Sequence, residues 1–171
     1  VDNMLKITND GRKLALDQRL MNPILPDDEN SKVSACAKNV YEIWQKTAEQ
    51  KSTQMVFCDL STPHNDGKFN VYDSLRDKLL GMGIPEDQIA YIHNAASEAQ
   101  KKELFGKVRN GEIRVLIGST QKMGAGTNVQ TLLYALHDID CPWRPSDLEQ
   151  RAGRIIRQGN TNDTVHIYRY V

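Results

Sequence analysis

Arg114-Val115-Leu116-Ile117-Gly118-Ser119 is an apolar run of strand length that ends on a glycine and a hydroxyl. It does not alternate polar with apolar residues, so the form that fits is a strand covered on both faces. Gln54-Met55-Val56-Phe57-Cys58-Asp59-Leu60 reads the same way. Shorter segments at 89–92, 132–138 and 165–170 follow the pattern. Helical patterns lie between them. Residues 11–20 are helix-like and stop before Asn22-Pro23. Ser31 caps a helix running to near residue 49, with Val33, Ala37, Val40, Ile43 and Trp44 as its apolar stripe. A further helix over 71–80 is stopped by Gly81 and Gly83. Ser97-Glu98-Ala99-Gln100 has the form of a capping box and predicts a helix to residue 109, with Gly111 past its end. Strands that alternate with helices predict an α/β fold: a doubly wound, mainly parallel sheet with helices on both faces. Ligands of such sheets gather at the carboxyl ends of the strands. The loops after Gly118, after Asp138 and before Ser146 are therefore the places to look.

Bulk composition narrows the function classes. The chain has 171 residues, enough for one domain with a real core. Its 22 Lys and Arg balance 22 Asp and Glu. Zero net charge argues against a dedicated polybasic binder, although a local basic face remains open. Three cysteines without a C-x-x-C pair read as reduced thiols and not as a disulfide frame. Four scattered histidines lack metal-ligand spacing, so no metal site is expected. No apolar run approaches the roughly 20 residues of a membrane span, and no signal peptide is visible. The expectation is a cytoplasmic domain that does not engage a membrane, cut from a longer protein.

Gln150-Arg151-Ala152-Gly153-Arg154-Ile155-Ile156-Arg157-Gln158-Gly159 carries the strongest chemical signal. It follows Ser146-Asp147-Leu148-Glu149, a second capping-box pattern. On a helix, Gln150, Arg154 and Arg157 share a face. Arg151 has Asp147 four residues upstream in the favourable acid-first order, which reads as an ordinary surface pair. Arg154 and Arg157 have no acid on their own helix. Two guanidinium groups without local neutralisation call for an anion from elsewhere, and phosphate matches their fork.

The segment from Gly118 to Asn128 (Gly-Ser-Thr-Gln-Lys-Met-Gly-Ala-Gly-Thr-Asn) follows a strand. Its glycines Gly124 and Gly126 admit close approach of backbone N–H groups to an anion, or form a tight turn. It is neither a Walker A loop nor a dinucleotide fingerprint. Asp138-Ile139-Asp140-Cys141-Pro142-Trp143 invites comparison with the D-P-P-W tetrapeptide of amino-methyltransferases. Cys141 replaces the first proline there, and a glycine-rich methyl-donor loop upstream is absent.

Trp143-Arg144-Pro145-Ser146, followed by Gln150, Gly153, Arg154, Arg157 and Gly159, resembles the W-N-P-S…Q…G-R-x-x-R-x-G-Q signature of the Snf-type ATPases, DNA translocases of helicase superfamily 2. Ser119, Gly124, Gly126 and Asn128 are in register with that family's S-x-K-A-G-G-x-G-L-N-L block. The strand at 55–61, the Ile92-His93 step and Val165-His166-Ile167-Tyr168-Arg169 also resemble parts of its second motor lobe. Departures fall at Met123, Thr127, Arg144, Ile156 and Asn160.

The resemblance implies a RecA-like C-terminal lobe at 51–171, preceded by a helical lobe-connecting segment at 1–50. It implies that Arg154 and Arg157 are arginine fingers and that Gln150 positions the nucleotide or the attacking water. Gly124, Gly126, Thr127 and Asn128 would couple the ATP cleft to nucleic acid. Ser119, Thr120, Lys122 and Arg144 would touch the nucleic-acid backbone, although Lys122 and Arg144 also read as solvated surface charges. ATP and Mg2+ would be held mainly by a first lobe, since no G-K-[ST] loop and no D-E-x-H box occurs in these 171 residues. Double-stranded DNA and the first lobe are the implied partners, with a fused or associated DNA methylase as a further one. Two rivals stay in view. A DEAD-box-like RNA helicase lobe is disfavoured by Trp143-x-Pro145 and by Gln150 where that family has His. A non-catalytic partner-binding module is disfavoured by intact Arg154, Arg157, Gly124 and Gly126.

Overall fold

The computed structural model describes residues 4–123, 128–140, 146, 149, 151 and 159–171. Among them lie five helices, α1 Met4–Leu16, α2 Lys32–Lys46, α3 Val71–Met82, α4 Glu98–Arg109 and α5 Thr120–Met123. The strands are β1 Thr53–Phe57, β2 Ile89–Tyr91, β3 Val115–Gly118, β4 Leu133–Asp138 and β5 His166–Arg169. They form one sheet in the order β2-β3-β1-β4-β5, and every pairing is parallel. The expected parallel, doubly wound α/β architecture is what the chain adopts.

Side chains alternate across a strand, and that alternation builds two cores. Val56, Val115 and Ile117 face one way, onto Val33, Cys36, Ala37 and Val40 of α2 and Tyr72, Leu75 and Leu79 of α3. Met55, Phe57, Leu116 and Leu136 face the other way, onto Val108 of α4 and Met123 of α5. Both faces of the central strands are thus covered, which is why their sequences are continuously apolar. Each large aliphatic buried in this way contributes about 1.5–3 kcal/mol. The second half of segment 1–50 does not stand apart from the sheet, because α2 lines its core.

The caps follow the sequence closely. Ser31 accepts a hydrogen bond from the Ser34 N–H, and Asn70 accepts one from the Asp73 N–H. Ser97 and Gln100 close the capping box of α4 in both directions. Gly83 ends α3 in the left-handed conformation at φ 117°, while Gly81 remains helical and does not stop it. Gly111 sits at φ 78°, and a Cβ there would approach the Lys51 Cβ to 2.7 Å. Turn and crowding together require glycine at that position.

Three expected elements differ. The helix over 11–20 is divided: α1 ends at Leu16, and a separate 3-10 turn spans Gln18–Leu20. Asp17 causes the break, because its carboxylate takes the Arg19 N–H at 2.9 Å and the Arg19 guanidinium at 2.8 Å. A short acidic side chain that bonds its own backbone competes with helix continuation. α2 stops at Lys46 and not near residue 49, since the Arg114 guanidinium takes the Trp44 carbonyl and the Thr47 hydroxyl. Past Gly118 the chain turns through α5 where an open loop was expected.

His137, in the middle of β4, is completely buried. Gln54 donates through its amide nitrogen to the Val40 carbonyl, which leaves Gln54 Oε1 as an acceptor 2.7 Å from His137 Nε2. His137 Nε2 must therefore carry the proton, and Nδ1 accepts from the Tyr170 hydroxyl at 2.8 Å. The neutral ring is fully satisfied, and burial lowers its pKa to about 3. An unfolded histidine titrates near 6.5. As pH falls, the unfolded chain takes up the proton first, so stability is present above pH ~6.5 and is lost progressively towards pH ~3. The expected slope of unfolding free energy is up to about 1.4 kcal/mol per pH unit in that window. Asp138, whose carboxyl is raised by burial, acts in the opposite sense at the acid end. Denaturant titrations from pH 7 to 4 on wild type and His137→Gln check this. Equal slopes for the two proteins would refute it.

Candidate functional site

Register sets the heights of the polar groups at the carboxyl edge of the sheet. Phe57 of β1 pairs with Gly118 of β3 and with Asp138 of β4. Two residues beyond that common level come Asp59, Thr120 and Asp140, so three loops present polar side chains at one depth. The Asp140 carboxylate takes the backbone N–H groups of Asp59 and Leu60, both at 2.7 Å. Asp59 in turn takes the Thr120 N–H and the Thr120 hydroxyl, both at 2.7 Å.

Arg151 closes this ring and is completely buried. Its Nε donates to the Thr120 hydroxyl at 2.7 Å. Nη1 donates to Asp138 Oδ1 at 3.1 Å and to the Asp140 carbonyl at 3.2 Å. Nη2 donates to Asp59 Oδ2 at 2.8 Å and to Asp140 Oδ1 at 3.0 Å. A guanidinium has five N–H donors, and here each has an acceptor. The Arg151 guanidinium carbon also lies 5.2 Å from the centre of the Phe57 ring. Burial alone would lower the Arg151 pKa, but the fields of Asp140, Asp59 and Asp138 outweigh it and raise it. Burial raises the Asp138 carboxyl against the pull of Arg151 and, from the solvent side, Arg169. The cluster is an acid-rich clasp in which the one buried guanidinium is fully engaged, and it leaves no Arg151 donor over for a phosphate.

Residues 32–159 match the model of the family described as helicase conserved C-terminal domain. The chain belongs to that family. Over 68 residues the lobe is 44% identical to the uncharacterized ATP-dependent helicase YqhH of Bacillus subtilis (strain 168), a match that covers 40% of this chain and 12% of that protein. The C-terminal part of the Fun30 ATPase domain superposes with a TM-score of 0.60 at 18% identity, covering 96% of this chain and 49% of that one. The helicase domain of Pyrococcus furiosus Hef gives 0.53 at 18% identity, with 90% of this chain and 28% of that one covered. The DUF1998 helicase MrfA, solved bound to DNA, gives 0.54 at 15% identity over 78% of this chain and 18% of that one. The chain therefore spans about an eighth of the curated relative and under half of the Fun30 chain. Its fold is the RecA-like fold of a helicase C-terminal lobe.

The lobe distributes the expected site residues unevenly. Ser119 is buried and accepts the Lys122 N–H, so it starts the α5 turn. Thr120 faces inward, with its N–H and hydroxyl both engaged as above. Lys122 is exposed on α5, and its charge adds to burial in lowering the His93 pKa. Asn128 is exposed, and its carbonyl accepts from the Arg109 guanidinium at 2.7 Å. Gly124, Gly126, Thr127, Arg144, Gln150, Arg154 and Arg157 lie outside the described residues. Among the described residues no helix is long and apolar enough to cross a membrane, and no group of His, Cys, Asp or Glu is arranged to hold a metal ion.

Arg151 corrects the sequence reading. It was expected to be an ordinary surface charge with a local acid, and it is instead the largest fully buried side chain among the described residues. Its partners come from the ends of β1, β3 and β4, with Asp59 92 residues away in sequence. Asp59, Asp138 and Asp140 were missed as a set. A signal was present: each acid closes an apolar run at the carboxyl end of a strand, where a cation from another loop can reach it.

Proposed function

We propose that this chain is the second motor lobe of an ATP-driven, Snf-type DNA helicase or translocase. The observation that carries the proposal is the clasp at the carboxyl edge. It joins the Thr120 turn, where the expected nucleic-acid segment begins, to Arg151, three residues ahead of the first expected arginine finger. Residues 51–171 supply the RecA-like body. Residues 1–50 connect it to the first lobe, with α2 doubling as a covering layer of the sheet.

In this role Arg154 and Arg157 donate to the γ-phosphate oxygens as charge develops on them, and Gln150 orients the nucleotide or the attacking water. Gly124, Gly126, Thr127 and Asn128 link that cleft to the nucleic-acid surface. Lys122 and Arg144 contact the DNA backbone, with buried Ser119 and Thr120 behind them bracing the turn. Backbone contacts carry no sequence information, which suits a motor that tracks any duplex. The described carboxyl edge is a poor phosphate cradle, because Asp59, Asp138 and Asp140 already hold its buried guanidinium. ATP and Mg2+ accordingly bind mainly to the first lobe. A cytoplasmic location and an associated DNA methylase belong to the same family-level picture.

Measuring ATP hydrolysis with and without duplex DNA tests this function. The full-length protein should hydrolyse ATP faster when DNA is added, and the 171-residue chain alone should neither bind ATP tightly nor turn it over. Turnover by the isolated chain, or a full-length enzyme indifferent to DNA, would overturn the proposal.

A further inference from the structure

We infer that Arg151 is a positioning residue, held by the Thr120 hydroxyl, that fixes the spacing between the α5 turn and the arginine segment. The inference rests on the motor function proposed above. Arg151 contacts no substrate, since all five of its N–H donors have protein acceptors. Four of those five bonds run to Asp59, Asp138 and Asp140, which are anchored to β1 and β4. The fifth, from Nε to Thr120 Oγ1 at 2.7 Å, links it to the first residue of α5.

Thr120 is tied to the same acids. Its hydroxyl donates to Asp59 Oδ2 while accepting from Arg151, and its N–H donates to Asp59 Oδ1. The hydroxyl is thus a hinge pin with a donor on one side and an acceptor on the other. A displacement of α5 by about 1 Å would stretch the Arg151 bond beyond hydrogen-bonding distance. The geometry therefore permits one spacing between Thr120 and Arg151. Exposed Lys122 lies two residues beyond Thr120, and Arg154 lies three residues beyond Arg151. Loosening the pin should misplace the arginine fingers without removing any group that touches ATP or DNA. Misplacement of a catalytic group by an ångström reduces chemistry far more than binding.

The test uses the full-length enzyme and three variants. Thr120→Val keeps the side-chain volume and the Asp59 contact through the backbone N–H, and it removes the hydroxyl's two hydrogen bonds, from Arg151 and to Asp59. Arg151 remains neutralised by its acids, so folding should persist, as a thermal melt would confirm. With saturating duplex DNA, kcat should fall at least about tenfold, because the hydroxyl's two hydrogen bonds, one from the Arg151 guanidinium and one to the Asp59 carboxylate, are both lost. KM for ATP and Kd for DNA should stay near wild type, and Thr120→Ser, which retains the hydroxyl, should restore turnover. An unchanged kcat in Thr120→Val, a matching loss of ATP or DNA affinity, or failure of Thr120→Ser to restore turnover would each overturn the inference. Arg154→Ala serves as the control. Wild-type turnover in that variant defeats the motor reading itself, whereas a large loss there beside an unaffected Thr120→Val defeats only the positioning role.

Discussion

Replacing Arg154 or Arg157 with alanine in the full-length protein should lower kcat by roughly 10³ or more, the loss associated with an arginine finger. DNA affinity should stay near wild type. The expectation begins with the sequence: neither arginine has an acid three or four residues away on its own helix, whereas Arg151 does. The structure sharpens that contrast. The acids that end β1 and β4 at the carboxyl edge are all engaged by Arg151. They are occupied by a guanidinium other than the two proposed as fingers. A guanidinium that meets charge only as it develops in the transition state changes kcat more than KM. Lysine at either position should recover little, because an ammonium lacks the planar fork that grips two phosphate oxygens. The double variant should be little worse than either single one, since groups that act as a unit are not additive. Single-turnover ATP hydrolysis, with DNA binding measured in parallel, checks all of this. Near-wild-type turnover in both single variants would remove the finger role.

Sequence made the scaffold legible because the scaffold obeys local rules. β1, β3 and β4 are apolar runs buried on both faces, and no other element explains such runs at that length. Ser31 and Ser97 mark helix starts through bonds reaching only three residues. Asp17 resisted the same treatment. Apolar spacing carried the helix through it, while its side chain took the Arg19 N–H and ended the regular turn. Arg151 resisted more completely. The i−4 rule offered Asp147, but the groups that hold Arg151 are brought together by strand register and lie up to 92 residues away. Residue spacing along the chain does not encode which loops share a sheet edge. The strand order β2-β3-β1-β4-β5 does, and it places the ends of β1, β3 and β4 side by side. Thr120 was singled out for the right neighbourhood but with its hydroxyl turned outward. The acid that draws it inward, Asp59, is 61 residues earlier.

Arg151→Ala should destabilise the lobe by about 3–5 kcal/mol, the usual cost of removing one partner from a buried ion cluster. For a domain of this size that corresponds to a fall in Tm of roughly 10 °C. The cost arises from what remains. Asp138 and Asp140 are 3% and 4% exposed, and without the guanidinium their charges would face each other and the partly exposed Asp59. The pH dependence separates this cause from simple loss of packing. In the variant, the burial that already raises the Asp138 carboxyl acts without the opposing pull of Arg151, so its folded-state pKa rises further above the unfolded value. A raised carboxyl weakens the fold above its pKa, and that penalty disappears as pH falls through it. The deficit relative to wild type should therefore be greatest near pH 7 and should shrink towards pH 4. Adding Asp140→Asn to Arg151→Ala should recover part of the loss at pH 7, although Asp140→Asn alone should be destabilising because it removes a carboxylate from an intact clasp. A double-mutant cycle by denaturant titration at pH 7 and pH 4.5 measures that coupling. A deficit that stays the same at both pH values, or a cycle with no coupling, would mean that Arg151 contributes as a buried volume and not as the cation on which three strand ends converge.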